Sequence, residues 1–290
     1  MSKKNILHPG IWVLEIKYDN PMTNWVGAIG RHTLKSLNHL LELLAFSCRI
    51  IAILFKRPRQ GRKLVLKFSL EQIYFTAVQA LSVMIFIALV TGGILIMQLA
   101  GHFAAGESKY VLGKVVVILI VRELGPVFTA LIVILRSAVA VTAETSYMTI
   151  LGQLDALELQ GIDPFYLICL PRLIGITASM LCLFLIFDTV AIFGGYGIAW
   201  AATSIPMENF LKETFKALSA IDITMGIAKA VLFAFIITVT SLYHGFGIKK
   251  DVTRIPRETS RAAVQSLIYC LFVDIAISAF FYTFKLWPAI

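Results

Sequence analysis

Five apolar runs constrain this 290-residue chain more than any other feature: Leu70–Ala100, Val111–Val141, Leu173–Trp200, Ile221–Tyr243 and Ala262–Phe284. Each is long enough for a helix that crosses the hydrocarbon of a bilayer, which takes about 18 residues or more. Composition agrees, with 58% hydrophobic and only 15% charged residues, where soluble chains carry nearer a quarter charged. The expected fold class is an all-α integral membrane protein. Five transmembrane helices would follow an N-terminal interfacial amphipathic helix.

Lysine and arginine set the orientation. Residues 1–67 hold twelve of them and 249–261 hold five, whereas loop 101–110 holds Lys109 alone and loop 201–220 holds Lys212 and Lys216. The positive-inside rule then puts the N-terminus, the 142–172 loop and the 245–261 loop in the cytoplasm, and the C-terminus on the other face. The first thirty residues mix Lys3, Lys4, Glu15, Lys17 and Asp19 with no apolar core, so no signal peptide is expected. Further on, Leu34, Leu37, Leu41, Leu44, Cys48, Ile51 and Phe55 form a helical stripe, with Arg31, Lys35, Asn38, Glu42 and Arg49 off it. Glu42 and Arg49 interrupt it too closely for a sixth span, which predicts a helix in the interface. Residues 1–68 therefore read as arm, interfacial helix and basic linker, and 69–290 as the five-span domain.

Charges inside the runs carry the functional signal. Arg122 and Glu123 lie well within the second run, where ionisable groups are costly and mark a pathway or a buried pair. Pro126 lacks an N–H, so the carbonyl of Arg122, four residues back, needs another partner. Lys229 and Asp274, on the fourth and fifth runs, reach a similar depth. Pairing of Arg122 with Asp274 and of Glu123 with Lys229 would be neutral overall. Such a network either locks helices together or lines a polar pocket. Asp188, on the third run, has three readings: a bond to a neighbouring helix, contact with water, or a protonated acid.

The segment "ETSYMTILGQLDALELQGIDP" (144–164) is acidic in a chain of net charge +9. Tyr147, Ile150, Leu151, Leu154 and Leu157 follow helical spacing, so a helix with one apolar face is expected over 144–161, ended by Asp163-Pro164. Its acids would face an anionic inner leaflet if it lay on lipid, so a protein groove is the better host. There is no GxxxxGK[ST] phosphate loop and no nucleophile–base set. The single cysteines and scattered histidines have no metal spacing, and the basic excess suits membrane topology, not nucleic acid. No catalysis, cofactor or metal is expected of the chain itself, so any work against a gradient draws on a partner or an ion.

Several strings resemble the MlaE (YrbE) family, permease subunits of ABC transporters that work with MCE proteins. They are Arg122-Glu123-Leu124-Gly125-Pro126, Arg136, Thr142-Ala143-Glu144, Met148, Gln153-Leu154, Leu157-Glu158, Asp163-Pro164 and Pro171-Arg172, with Lys229 and Asp274 in the last two spans. The chain departs from the pattern at Ala138 and Val139, where the family has small glycine positions, and at Gly152, where an acid is usual. The resemblance implies a permease homodimer in a bacterial inner membrane, N-terminus cytoplasmic and C-terminus periplasmic. It also implies ATPase subunits that bind ATP and Mg, a small regulatory subunit on that ATPase in some assemblies, and a ring of MCE subunits. The cargo would be phospholipid moved between inner and outer membranes, with a bearing on outer-membrane lipid asymmetry. By the same resemblance Arg122, Glu123, Lys229 and Asp274 belong to the lipid pocket. Glu144, Met148, Gln153, Leu154, Asp155, Leu157, Glu158 and Asp163 belong to a helix that couples to the ATPase. From the residues alone, a proton-coupled carrier of amphiphiles and a membrane scaffold remain alternatives.

Overall fold

The computed structural model describes residues 38, 40–53, 61–103, 109–200, 207–248 and 251–286. All regular structure among these residues is helical. Five helices are long and apolar enough to cross a membrane: Lys63–Leu99, Gly113–Ile150, Phe165–Ile198, Ala220–Phe246 and Val252–Thr283. They are called spans 1 to 5 below. At 1.5 Å per residue, their 27 to 38 residues make about 40 to 57 Å, more than the roughly 30 Å of hydrocarbon. Every span therefore runs on past its apolar stretch. Span 2 carries Glu144 on such an extension, and span 5 begins ten residues before the apolar run at Ala262.

The chain forms two units, Met1–Ala45 and Phe46–Ile290. In the first, residues 40–45 are helical, and Leu41 and Leu44 of the expected stripe are exposed. Leu34, Leu37 and Phe55 of that stripe, the arm 1–30 and most of the basic linker lie outside the described residues. In the second unit residues 46–53 are helical. Phe46 packs on Phe165 and Phe246, and the Arg49 guanidinium sits 3.7 Å over the Phe165 ring.

Span 4 is central and packs on spans 2, 3 and 5. Thr142 of span 2 donates to the Ser241 carbonyl at 3.2 Å, and Thr149 to that of Gly245 at 3.2 Å, which ties those two helices together. Spans 1 and 3 meet through small residues. A methyl on Gly92 would lie 2.2 Å from the Ala191 oxygen, and one on Gly195 2.5 Å from the Gly92 carbonyl carbon, so the two backbones touch. π-helical turns interrupt span 2 at Ile118–Leu124 and Ile134–Ala138, and span 3 at Val190–Gly194. The first directly precedes Gly125-Pro126, where the missing proline N–H breaks the regular ladder.

One loop feature differs from the sequence reading. The 201–220 loop contains an amphipathic helix, Met207–Ala217, that packs on the helix Lys109–Val117 and stacks Phe210 on Tyr196 at 4.8 Å. Cys169 and Cys270 are buried as apolar packing requires, but Cys48 and Cys182 are exposed.

Candidate functional site

The charges expected inside the bilayer converge on Lys229, which is fully buried in span 4. Its ammonium donates to Glu123 Oε2 at 3.0 Å and Ser278 Oγ at 2.8 Å, and lies 2.8 Å from Asp274 Oδ1. It also donates to the Arg122 carbonyl at 3.0 Å. That oxygen is the one released by Pro126, so a side chain of span 4 caps the broken ladder of span 2. Ser278 in turn donates to Glu123 at 3.0 Å.

Arg122 is placed differently from the expected pairing. It does not meet Asp274, which Lys229 takes; its nearest carboxylate is Asp222, at 3.7 Å from Nη1. Its guanidinium stacks 3.8 Å from the Phe281 ring centre and 4.7 Å from that of Tyr282, a cation–π arrangement that keeps the charge buried. Both Nε and Nη2 are buried without an acceptor. A guanidinium does not shed its proton in proteins, so these donors stay available to an anion. The cluster holds two cations against three carboxylates (Glu123, Asp222 and Asp274), drawn from spans 2, 4 and 5.

The acidic segment is built as two pieces. Span 2 continues to Ile150, Gly152 turns the chain at φ 69°, and a separate helix covers Gln153–Leu159. The single helix expected over 144–161 is thus broken, because periodicity does not register a left-handed residue. The second helix ends in a paired cap: Gly161 N–H donates to the Glu158 carbonyl at 2.9 Å, and Ile162 N–H to that of Leu157 at 3.0 Å. No residue of Gln153–Leu159 is buried. Asp155 and Glu158 are exposed, and Leu151 and Leu159 are 68% and 89% exposed. Leu154 is half-buried, while Met148, Gln153 and Leu157 line a cleft of about 540 Å³ between spans 1, 2 and 3. Two of the acids turn back on the bundle. Glu144 pairs with buried Arg172 at 3.0 Å, and Arg172 also donates to Thr145. Asp163 accepts from the Phe165 N–H at 3.0 Å and so caps the start of span 3, with Pro164 in the first turn.

Against known proteins, the family profile described as Permease MlaE matches residues 69–280. The chain belongs to the MlaE permease family. It is 32% identical over 251 residues to a probable ABC transporter permease protein of Rickettsia typhi, covering 86% of this chain and 95% of the relative. A probable ABC transporter permease protein of Rickettsia prowazekii is also 32% identical, over 255 residues, 88% of this chain and 96% of the relative. The intermembrane phospholipid transport system permease protein MlaE of Haemophilus influenzae is 30% identical over 212 residues, 72% of this chain and 80% of the relative.

In this MlaE-family permease the sequence reading missed Asp222, Ser278 and the aromatic pair around Arg122. A signal for Asp222 was present. Ser219-Ala220-Ile221-Asp222 has the spacing of a capping box ahead of an apolar run, and the structure forms it, with Asp222 accepting from the Ser219 N–H at 3.2 Å. Ser278 lies four residues from Asp274, on the same helical face, but a serine in an apolar run gives no sign of its partner. Asp188 stands apart from the cluster, buried on span 3 with no cation beside it among the described residues.

Proposed function

We propose that the chain is the membrane-spanning subunit of an ATP-driven transporter that moves phospholipid between a bacterial inner membrane and an MCE-protein conduit, with Arg122 receiving the lipid phosphate. The observation that carries this reading is the Arg122 guanidinium, whose Nε and Nη2 are buried without acceptors. Lys229, Glu123 and Asp274 join spans 2, 4 and 5 beside it, and the Lys229 cap would hold the span 2 bend there. The name of the Haemophilus relative, an intermembrane phospholipid transport system permease, supports phospholipid as cargo.

The energy source would be a separate ATPase that holds ATP and Mg, as the ABC permease names of the Rickettsia relatives support. The exposed helix Gln153–Leu159 would be the contact to it, with Asp155 and Glu158 directed outward and Leu151 and Leu159 available to a protein groove. Lysine and arginine counts support a cytoplasmic N-terminus and a periplasmic C-terminus. The assembly would be a homodimer that meets a ring of MCE subunits on the periplasmic side.

The test is to purify the complex from native membranes, identify its subunits and lipid by mass spectrometry, and measure lipid transfer with wild type and Arg122→Ala. A copurifying ATPase, bound phospholipid and transfer lowered at least about tenfold in the variant are expected. Transfer that runs on a proton gradient with no nucleotide-binding subunit would sink this reading in favour of a secondary carrier.

A further inference from the structure

A second polar site lies near the opposite end of the bundle from Gln153–Leu159. Asp188 occurs 23 residues into span 3 and ten before its far end at Ile198. It is 9% exposed, and its Oδ1 has no hydrogen-bond partner. Thr214, on the helix Met207–Ala217, is 3% exposed, and its Oγ1 also has none. Both residues line one cavity of about 180 Å³.

Apart from Thr189, the other described lining residues of that cavity are apolar or aromatic. Phe184, Phe193 and Phe215 form part of its wall, and the Phe193 and Phe215 rings stand 6.3 Å apart at 52°. Among the described residues no lysine, arginine or histidine lines it. Asp188 Oδ1 sits against the bend of span 2: a methyl on Gly125 would lie 2.3 Å from it. Buried Asp222 and half-buried Glu123 and Asp274 each have a cation within 4 Å, whereas buried Asp188 has none among the described residues.

A buried carboxylate without a partner is costly, so this site calls for a positively charged or hydrogen-bonding occupant. A hard divalent ion needs six or more oxygen ligands, which Asp188, Thr189 and Thr214 do not supply. Phenyl faces beside a carboxylate suit an organic ammonium, which gains from ring quadrupoles as well as from the charge. The volume is several times the roughly 30 Å³ share of one water, enough for a small amine group. We propose that the Asp188–Thr214 cavity binds an ammonium group, carried by an amine-headgroup lipid or by a free organic amine. None of the charged residues of the Arg122 cluster is among the described residues that line the cavity, and the proposal does not depend on the transport reading.

The test uses the full chain in detergent and in nanodiscs. Tetramethylammonium chloride and ethanolamine are titrated by calorimetry against wild type, Asp188→Asn and Phe215→Leu. In parallel, native mass spectrometry compares retention of phosphatidylethanolamine and phosphatidylcholine with phosphatidylglycerol. Saturable amine binding is expected, weakened about tenfold or more by Asp188→Asn and about threefold by Phe215→Leu. Phe215 is 57% exposed, so its replacement leaves folding intact and keeps the test open if Asp188→Asn does not fold. Retention of amine lipids without binding of the free amines assigns the site to a headgroup, and the reverse assigns it to a soluble amine. Amine binding or amine-lipid retention unchanged in either folded variant overturns the proposal. So does a wild type that binds no amine and shows no lipid preference, which leaves Asp188 as a neutral acid among waters.

Discussion

The Lys229 cluster and the Gln153–Leu159 helix sit at opposite extremes of internal satisfaction. Lys229 has no exposed surface and four oxygens from spans 2 and 5 around its ammonium. The helix buries none of its residues and projects both polar and apolar side chains outward. The first region pairs its lysine and all three carboxylates within its own chain and leaves only Arg122 donors over. The second is a helix of seven residues, too short to be stable alone in water, held by glycine turns at each end. A buried network fixes how helices pack, whereas an exposed short helix acquires a role only through what docks on it.

Several perturbations break or sharpen that contrast. Lys229→Met should have the largest effect, because it removes the fully buried cation that half-buried Glu123 and Asp274 share. Breaking one side of a buried ion pair costs about 3–5 kcal/mol, which a denaturant or thermal unfolding series in detergent would register. The double variant Lys229→Met/Asp274→Asn should recover part of that loss; an additive result would show that the two residues do not act as one unit. Gly152→Ala should cost about 1–2 kcal/mol locally, since an alanine at φ 69° is strained. Nothing lies within 4 Å of a methyl there, so the readout is ATPase copurification and lipid transfer at unchanged global unfolding. Loss of the fold would instead place the Gly152 turn in the structural core. Leu159→Asp should change stability least, by less than about 0.5 kcal/mol at an 89% exposed position. If that helix is the docking element, ATPase copurification should nevertheless fall; full retention would remove Leu159 from the contact.

Much of the fold was legible in the residues, because apolar runs report the bilayer directly. Helix ends were not. Span 5 begins at Val252, ten residues before its apolar run, since polar sequence such as "RIPRETSR" continues a helix without any hydropathy signal. Within the site, depth was readable and direction was not. Arg122 and Glu123 are adjacent, so they point about 100° apart around the helix, and counting residues along each span cannot say which of them meets Asp274. The structure forms the Glu123–Lys229 pair, gives Asp274 to the same lysine and turns Arg122 toward Asp222 and two aromatic rings. The proline argument reached further. Pro126 required a partner for one particular carbonyl, and Lys229 supplies it. In the acidic segment the pattern of leucines ran straight through Gly152, whose left-handed backbone leaves no trace in periodicity.

The contact of Gly92 with Ala191 and Gly195 has a mechanical consequence. Helices that meet through large side chains can re-engage one turn along, as teeth on a ratchet do. Spans 1 and 3 touch backbone to backbone and have no such teeth at that level. They are either seated or apart, with no intermediate notch. While they stay seated, close backbone contact ties spans 1 and 3 into one plate at that level.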